Sequence, residues 1–225
     1  MRKKKTGIRS KILACETVIK EMLPLLPQEC EYRTLESGLH LYPEKLHNAL
    51  QDLIDETTVE TDMIILAFGL CANAVIGLRA RASTLIIPRI DDCIGMFLGS
   101  REHYREQLRH EPGTYFLSKG WIEAGITLVD EFKEMEARFG KKQAEKVQRA
   151  MLKNYTRLAY IDMGHDDQET YYDFARKSAQ QLNLRYDEIK GTTELLKKMI
   201  HGPHENGFVM CPPGTAVRHE DFGIM

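Results

Sequence analysis

Short apolar runs, each followed by a segment with helical spacing, recur along the whole chain, and this alternation restricts the fold more than any other feature. Strands joined by crossover helices run parallel, because the crossover returns the chain to the end of the sheet where the previous strand began. Lys11 to Cys15 reads as a buried strand, Glu16 to Leu26 as its helix, and Pro24 and Pro27 as the signals that end it. A second strand near Tyr32 to Leu35 leads through Gly38 and His40 to Pro43, which suits the first turn of a helix reaching about Ile54. Met63 to Phe68, closed by Gly69, is the strongest strand signal. A short helix is expected over Asn73 to Arg79, then a strand over Thr84 to Ile87, then a helix opening at Cys93 to Leu98.

Beyond Gly120, Val129, Phe132, Met135 and Phe139 fall at helical spacing and Gly140 interrupts it, which predicts a helical hairpin. The remainder alternates again: a strand over Arg157 to Met163, a helix from about Glu169 to Leu182, a strand near Leu184 to Ile189, a helix over Thr193 to Ile200 and a strand over Phe208 to Met210. That order echoes the first seventy residues, with Cys71 and Cys211 each following a third strand. The expectation is a single α/β domain over residues 1–225, with a mostly parallel sheet flanked by helices. It is compatible with two Rossmann-like halves, 8–118 and 156–217, joined by a helical connection over 120–153.

Composition narrows the function classes. Hydrophobic residues at 43% and charged residues at 28% are ordinary globular usage. A net charge of -2 gives no broad basic field, so neither nucleic acid nor an anionic membrane is expected as the main partner. The run Arg2 to Lys5 reads as a solvated terminal tail. Ser10, Lys11, Glu16, Lys20 and Glu21 interrupt the apolar stretch that a secretory leader would need, and no run approaches the roughly 20 apolar residues of a membrane span. A cytoplasmic location is therefore expected. Five cysteines, an odd number, then read as reduced thiols, free or bound to metal. The oligomeric state is not legible.

In a parallel α/β sheet ligands bind beyond the carboxyl ends of the strands. Cys15 ends the first strand, Cys71 follows the third and Cys93 the fourth, so these thiols belong to one edge, together with His40 after the second strand. Three thiolates and an imidazole suit tetrahedral zinc; three thiolates alone suit an iron–sulfur cluster with one open iron. No C-x-x-C pair occurs, and the plainer reading is that the cysteines are small core residues. In Pro88-Arg-Ile-Asp-Asp-Cys93, Asp92 is placed to cap a helix. Cys93, at that helix start, reads as a candidate thiolate, ligand or nucleophile, with Asp92 or His40 as its base. Arg79 and Arg89, with Arg81, are candidates for holding the carboxylate or phosphate of a small anionic metabolite, or else are surface ion pairs. His165-Asp166-Asp167 follows a late strand, where capping is the simpler role. Trp121 is expected in or near the core, Cys30 as structural, and Cys211 as a buried thiol or a further ligand. The phosphate-loop, dinucleotide, serine-elbow and zinc-protease motifs are absent.

Taken together and in order, Ala14-Cys15-Glu16, Gly69-Leu-Cys71-Ala-Asn73, Gly77-Leu-Arg79-Ala-Arg81, Pro88-Arg-Ile-Asp-Asp-Cys93, Phe97-Leu-Gly-Ser100 and Gly113-Thr-Tyr115 with Gly120-Trp121 resemble the uncharacterised family called domain of unknown function 1638. The resemblance implies a family pattern containing Cys15, His40, Cys71, Asn73, Arg89, Asp92, Cys93 and Trp121, and not Cys30 or Cys211. Asn73 thereby joins Arg79 and Arg89 as a candidate for cofactor binding. Where members often have histidine before the Asp-Cys pair, this chain has Asp91. The resemblance also implies a setting in corrinoid-linked one-carbon metabolism, since members are often encoded beside corrinoid-dependent methyltransferases. A corrinoid protein or methyl-group carrier becomes a candidate partner on that ground, for a metal-dependent transferase or for a non-catalytic accessory protein.

Overall fold

The computed structural model describes residues 8–166 and 168–223, so the run Arg2 to Lys5, and Asp167, lie outside the described residues. In chain order the elements are β1 (Ser10–Cys15), α1 (Glu16–Met22), β2 (Glu31–Leu35), α2 (Pro43–Thr57), β3 (Met63–Ala67), β4 (Thr84–Pro88), α3 (Cys93–Phe97) and α4 (Arg101–His110). There follow β5 (Thr114–Leu117), α5 (Lys119–Ala124), α6 (Leu128–Phe139), α7 (Lys141–Met151), β6 (Arg157–Asp162), α8 (Gln168–Leu182), β7 (Arg185–Lys190), α9 (Glu194–His201) and β8 (Phe208–Cys211). Among the described residues no helix is long and apolar enough to cross a membrane.

The strands form a five-stranded sheet in the order β2-β1-β3-β4-β8 and a three-stranded sheet in the order β5-β6-β7. All neighbouring strands pair in parallel except β4 with β8. The inner strands β1, β3 and β4 are nearly continuous in apolar residues because both of their faces are covered. Ile12, Ala14, Ile65, Ala67 and Ile86 face a core shared with α1, α3 and α9, and with Phe116, Ala159 and Ile161 of the second sheet. Leu13, Ile64, Leu66, Leu85 and Ile87 face the opposite core, on α2 and the segment after β3. A third core lies on the far side of the second sheet, where Leu158 and Tyr160 meet Val129 and Phe132 of α6 and Tyr171 and Ala175 of α8. The hairpin is α6 and α7, which meet at Gly140.

Three expectations give way. The strand Phe208–Cys211 does not extend a second half; it returns to the first sheet and runs antiparallel along β4. β4 is buried on both faces and had one free edge, which a four-residue antiparallel strand closes. Thr114–Leu117, too short to stand out as a strand, pairs with β6 in the second sheet. The halves therefore exchange strands, and the echo with the first seventy residues stops at β7. Third, no helix forms over Asn73 to Arg79. Cys71, Ala72 and Asn73 hold φ of 45°, 55° and 69°, in the left-handed region, from which a right-handed helix cannot propagate.

The order β2-β1-β3-β4 reverses direction at β1, since the chain moves to one side for β2 and to the other for β3. Crossovers leaving a sheet on opposite sides open a crevice at the carboxyl ends of the strands there, the usual ligand position of open α/β sheets.

Candidate functional site

At that crevice lies a cavity of about 260 Å³, built by the ends of β1, β2, β3 and β4. Cys15, the last residue of β1, is also the residue that precedes α1. Its thiol lies 3.5 Å from the hydroxyl of buried Ser37, to which it donates, and 3.2 Å from the hydroxyl of Thr17. Ser37 accepts the Thr17 N–H at 3.2 Å as well, which ties the loop after β2 to the first turn of α1.

The loops after β3 and β4 are fastened to each other. The Leu70 N–H donates to the Ile90 carbonyl at 3.0 Å and the Cys71 N–H to the Asp91 carbonyl at 2.9 Å. Gly69 permits this approach: a Cβ there would stand 2.8 Å from the Asp92 nitrogen and 2.9 Å from the Ile90 carbonyl oxygen. Asp92 caps α3, accepting the Ile94 N–H at 2.9 Å on one oxygen and the Tyr104 hydroxyl at 3.0 Å on the other. Cys93 is the next residue, the first of the helix.

Cys15, Cys71, Cys93, Asp92, Glu36 and His40 all line this cavity. Val18, Leu46, Phe68, Ile94 and Trp121 supply its apolar wall. Among the described residues no lysine or arginine lines it. Burial pushes the Cys71 thiol up to about 12, and the charges of Asp92 and Cys15 add to that. Cys93 is held well above its ordinary value by burial first, then by Asp92, Cys15 and Cys71. The expectation that a helix start makes Cys93 a ready thiolate is thereby corrected: a five-residue helix is outweighed by desolvation and by acidic neighbours. Asp92 is itself raised by burial, against the opposing effect of its bonds to Tyr104 and Ile94.

His40 stands at the exposed mouth, with Nδ1 against the Ser37 carbonyl. A carbonyl only accepts, so Nδ1 carries a proton and Nε2 is the ring nitrogen left for a further partner. Among the described residues no three His, Cys, Asp or Glu side chains stand in an arrangement that could hold a metal ion.

The remaining candidates lie elsewhere. Asn73 is exposed on the left-handed turn, outside the cavity lining. Arg79 and Arg81 border a separate open hollow beside His47 and Gln51; Gln51 bonds both the N–H and the carbonyl of Arg79, and Arg81 lies 3.8 Å from Asp55. Arg89 is exposed, and its N–H donates to the Gly207 carbonyl at 2.7 Å. Asp91, in the place of the family's histidine, is engaged by Arg101 at 2.6 Å and Arg105 at 3.3 Å. Cys30 is half-buried against its own loop, and Cys211 is buried opposite Leu85 in the outer core.

His165 does not enter the cavity; its Nε2 donates at 2.5 Å to Glu21, whose side chain has no solvent exposure. The other oxygen of Glu21 accepts the Ser118 hydroxyl at 2.7 Å and the Gly120 N–H at 2.8 Å. Sequence reasoning missed this residue, which looks like one more charge on a helix. Gly120 meets α1 so closely that a Cβ would stand 2.1 Å from the Thr17 carbonyl oxygen. This contact presents the next residue, Trp121, as a cavity wall, edge-on to Phe97 at 5.7 Å.

No curated protein and no solved structure matches the chain. A family model does match, and its span takes in His40, Cys71, Asp92, Cys93 and Trp121, while Cys15 precedes it. The chain belongs to the family described as "protein of unknown function (DUF1638)", whose model matches residues 34–200.

Proposed function

We propose that the cavity is a thiolate metal site of enzymatic type, with Cys15, Cys71 and Cys93 as ligands and the Nε2 of His40 as a fourth. The observation that carries this reading is that thiols from three strand ends share one cavity with Asp92 and that no lysine or arginine among the described residues lines it. Such a set is electrostatically incomplete: the Cys71 and Cys93 thiols resist ionisation beside their neighbours, and either protons or a cation must relieve the repulsion. Sulfur donors select soft or borderline metals, zinc or the irons of a cluster. No three of these groups are yet grouped as ligands, so binding requires the thiols to turn inward, each about the single χ1 torsion of cysteine.

A structural zinc site is closed, whereas a catalytic one keeps a position for substrate, and the space beside these sulfurs favours the second kind. A bound metal of this kind would supply Lewis-acid activation of an atom of the substrate. The chain's own residues would do the rest. Asp92, fixed by Tyr104 and Ile94, is a carboxyl group held at a set angle to the cavity; His40 offers its Nε2 at the mouth; Phe68, Ile94 and Trp121 exclude water. The alternative of Cys93 as a metal-free nucleophile is disfavoured, because burial and its acidic neighbours hold its thiol well above the ordinary value.

Metal analysis of protein purified without oxygen tests the reading. About one equivalent of zinc, or iron with sulfide and a visible charge-transfer band, is expected, and it should be lost from Cys71→Ser. Protein that is metal-free and fails to take up zinc(II) or cadmium(II) on titration would overturn it.

A further inference from the structure

We infer that the space beside the thiols takes a small organic cation with an apolar body, an alkylammonium, in preference to a carboxylate or a phosphate. The inference rests on reading this cavity as the working site, but the sign of the charge follows from the lining in either metal state. Three thiolates around a divalent ion leave one negative charge, and Asp92 adds a second. With no metal present, Asp92 and Glu36 are the acidic side chains of the lining and no lysine or arginine among the described residues faces them there. Arg79 and Arg89, which could have held an anion, lie outside the lining, and the arginines nearest the Asp91-Asp92-Cys93 turn, Arg101 and Arg105, are spent on Asp91.

Shape points the same way. Phe68 and Trp121 put two aromatic rings in the same lining as the acids, and aromatic rings attract an alkylammonium through their faces while shedding water from its methyl groups. A volume of about 260 Å³ suits a molecule of few heavy atoms. An anion of the same size would lose its hydration and meet carboxylates, thiols, the hydroxyls of Thr17 and Ser37 and the His40 mouth, with no lysine or arginine among the described lining residues.

The chain contains one tryptophan, and it stands in the cavity wall, so its emission reports occupancy directly. The probes are tetramethylammonium chloride and two isosteres of its shape, neutral tert-butanol and anionic pivalate, each titrated against a sodium chloride blank of equal ionic strength. A saturable change in Trp121 emission is expected for tetramethylammonium, at least tenfold tighter than for either isostere. Asp92→Asn should weaken it tenfold or more. Because Asp92 also caps α3, Glu36→Gln, at the exposed mouth, serves as the second variant and should weaken it several-fold at unchanged melting temperature. Equal binding of pivalate, absence of saturable binding, or indifference to both substitutions would overturn the inference. Metal content measured on the same samples separates the two readings. Loaded protein that ignores tetramethylammonium removes the inference and leaves the metal site, whereas metal-free protein that cannot be loaded yet binds the cation removes the metal site and leaves the inference.

Discussion

The main-chain N–H of Cys71 donates to the carbonyl of Asp91 across 2.9 Å, so the loop carrying one cavity thiol is fastened to the loop carrying another. This bond, and the one from Leu70 to Ile90, extend the pairing of β3 with β4 beyond the sheet into the site. Their closeness depends on Gly69, whose missing side chain leaves room for the backbone of Ile90 and Asp92.

Gly69→Ala tests that dependence. The intruding methyl would meet backbone atoms, which cannot rotate away, so the loops must separate. A loss of about 1–3 kcal/mol is expected, as for other overpacked sites. In a chain of this size that lowers the melting temperature by roughly 2–4 °C per kcal/mol. Metal capacity should fall with it. Gly38→Ala is the control, since nothing lies within 4 Å of the added carbon, and it should melt no lower than the wild type, with a gain of up to about 1 kcal/mol from the stiffer unfolded chain.

Glu21 makes a second test. Its carboxylate is fully buried and bonded to Ser118, Gly120 and His165, so Glu21→Ala takes the acceptor from the Ser118 hydroxyl and the His165 ring and the shorter of two from the Gly120 N–H. The Gly120 N–H keeps a bond to the Ser118 hydroxyl at 3.2 Å, so a loss of about 3 kcal/mol is expected from unpairing the other two. Glu21→Gln keeps one carbonyl oxygen for Ser118 and Gly120 and should cost clearly less. Because α5 hangs on these bonds, Trp121 emission should shift toward the red in the alanine variant, as the cavity wall loosens and water enters. Unchanged emission in a folded Glu21→Ala protein would mean that Trp121 is held by Phe97 alone.

The parallel sheet was legible because its strands are bounded apolar runs, and that rule alone placed Cys15, His40, Cys71 and Cys93 at one edge. What escaped was non-local. Nothing in Phe208 to Cys211 says that it pairs backwards with β4, since strand direction is set by where the chain returns and not by composition. The role of Glu21 depends on partners 97 to 144 residues away. Arg79 and Arg89 followed the correct strands but point off the cavity, because a strand-end residue reaches the crevice only from the right face of its loop. The left-handed turn at Cys71 carries no glycine to announce it; Asn73 alone hints at such geometry.

Alkaline pH gives a third test, away from the thiols. Burial pushes the Tyr115 phenol from 10.0 up to about 12, although the Leu128 N–H donating to its oxygen acts the other way. The folded chain therefore keeps this proton after the unfolded chain has lost it. The stability owed to the neutral phenol is intact below about pH 10 and is lost as pH rises toward about 12, at about 1.4 kcal/mol per pH unit. Tyr115→Phe removes the titration. Urea unfolding at a series of pH values should show the variant less stable at neutral pH, by about 0.5–1.5 kcal/mol for the lost bond. The difference should shrink and then reverse through that window. A constant difference would show that the phenol ionises alike in both states.

The fourth test concerns strain beside the cavity. Ala72 holds φ of 55° between Cys71 and Asn73, both also left-handed, and this conformation costs an alanine about 1–2 kcal/mol. Asn73 bears the geometry more easily than its neighbours, and Cys71 cannot be relieved without losing its thiol. Ala72 is therefore the one position where strain can be removed and the donor set kept. Glycine there loses the steric penalty but gives back about 0.4–1 kcal/mol through the greater freedom of the unfolded chain. Ala72→Gly should on balance gain about 0.5–1 kcal/mol and keep its metal capacity, whereas Ala72→Val, branched at Cβ, should lose stability. Strain of this kind persists where the surroundings require the geometry, and here the requirement is the direction of the Cys71 side chain. If the glycine variant is no more stable than wild type in thermal and urea unfolding, the turn is relaxed and the position of Cys71 must be explained by the bond to Asp91 alone.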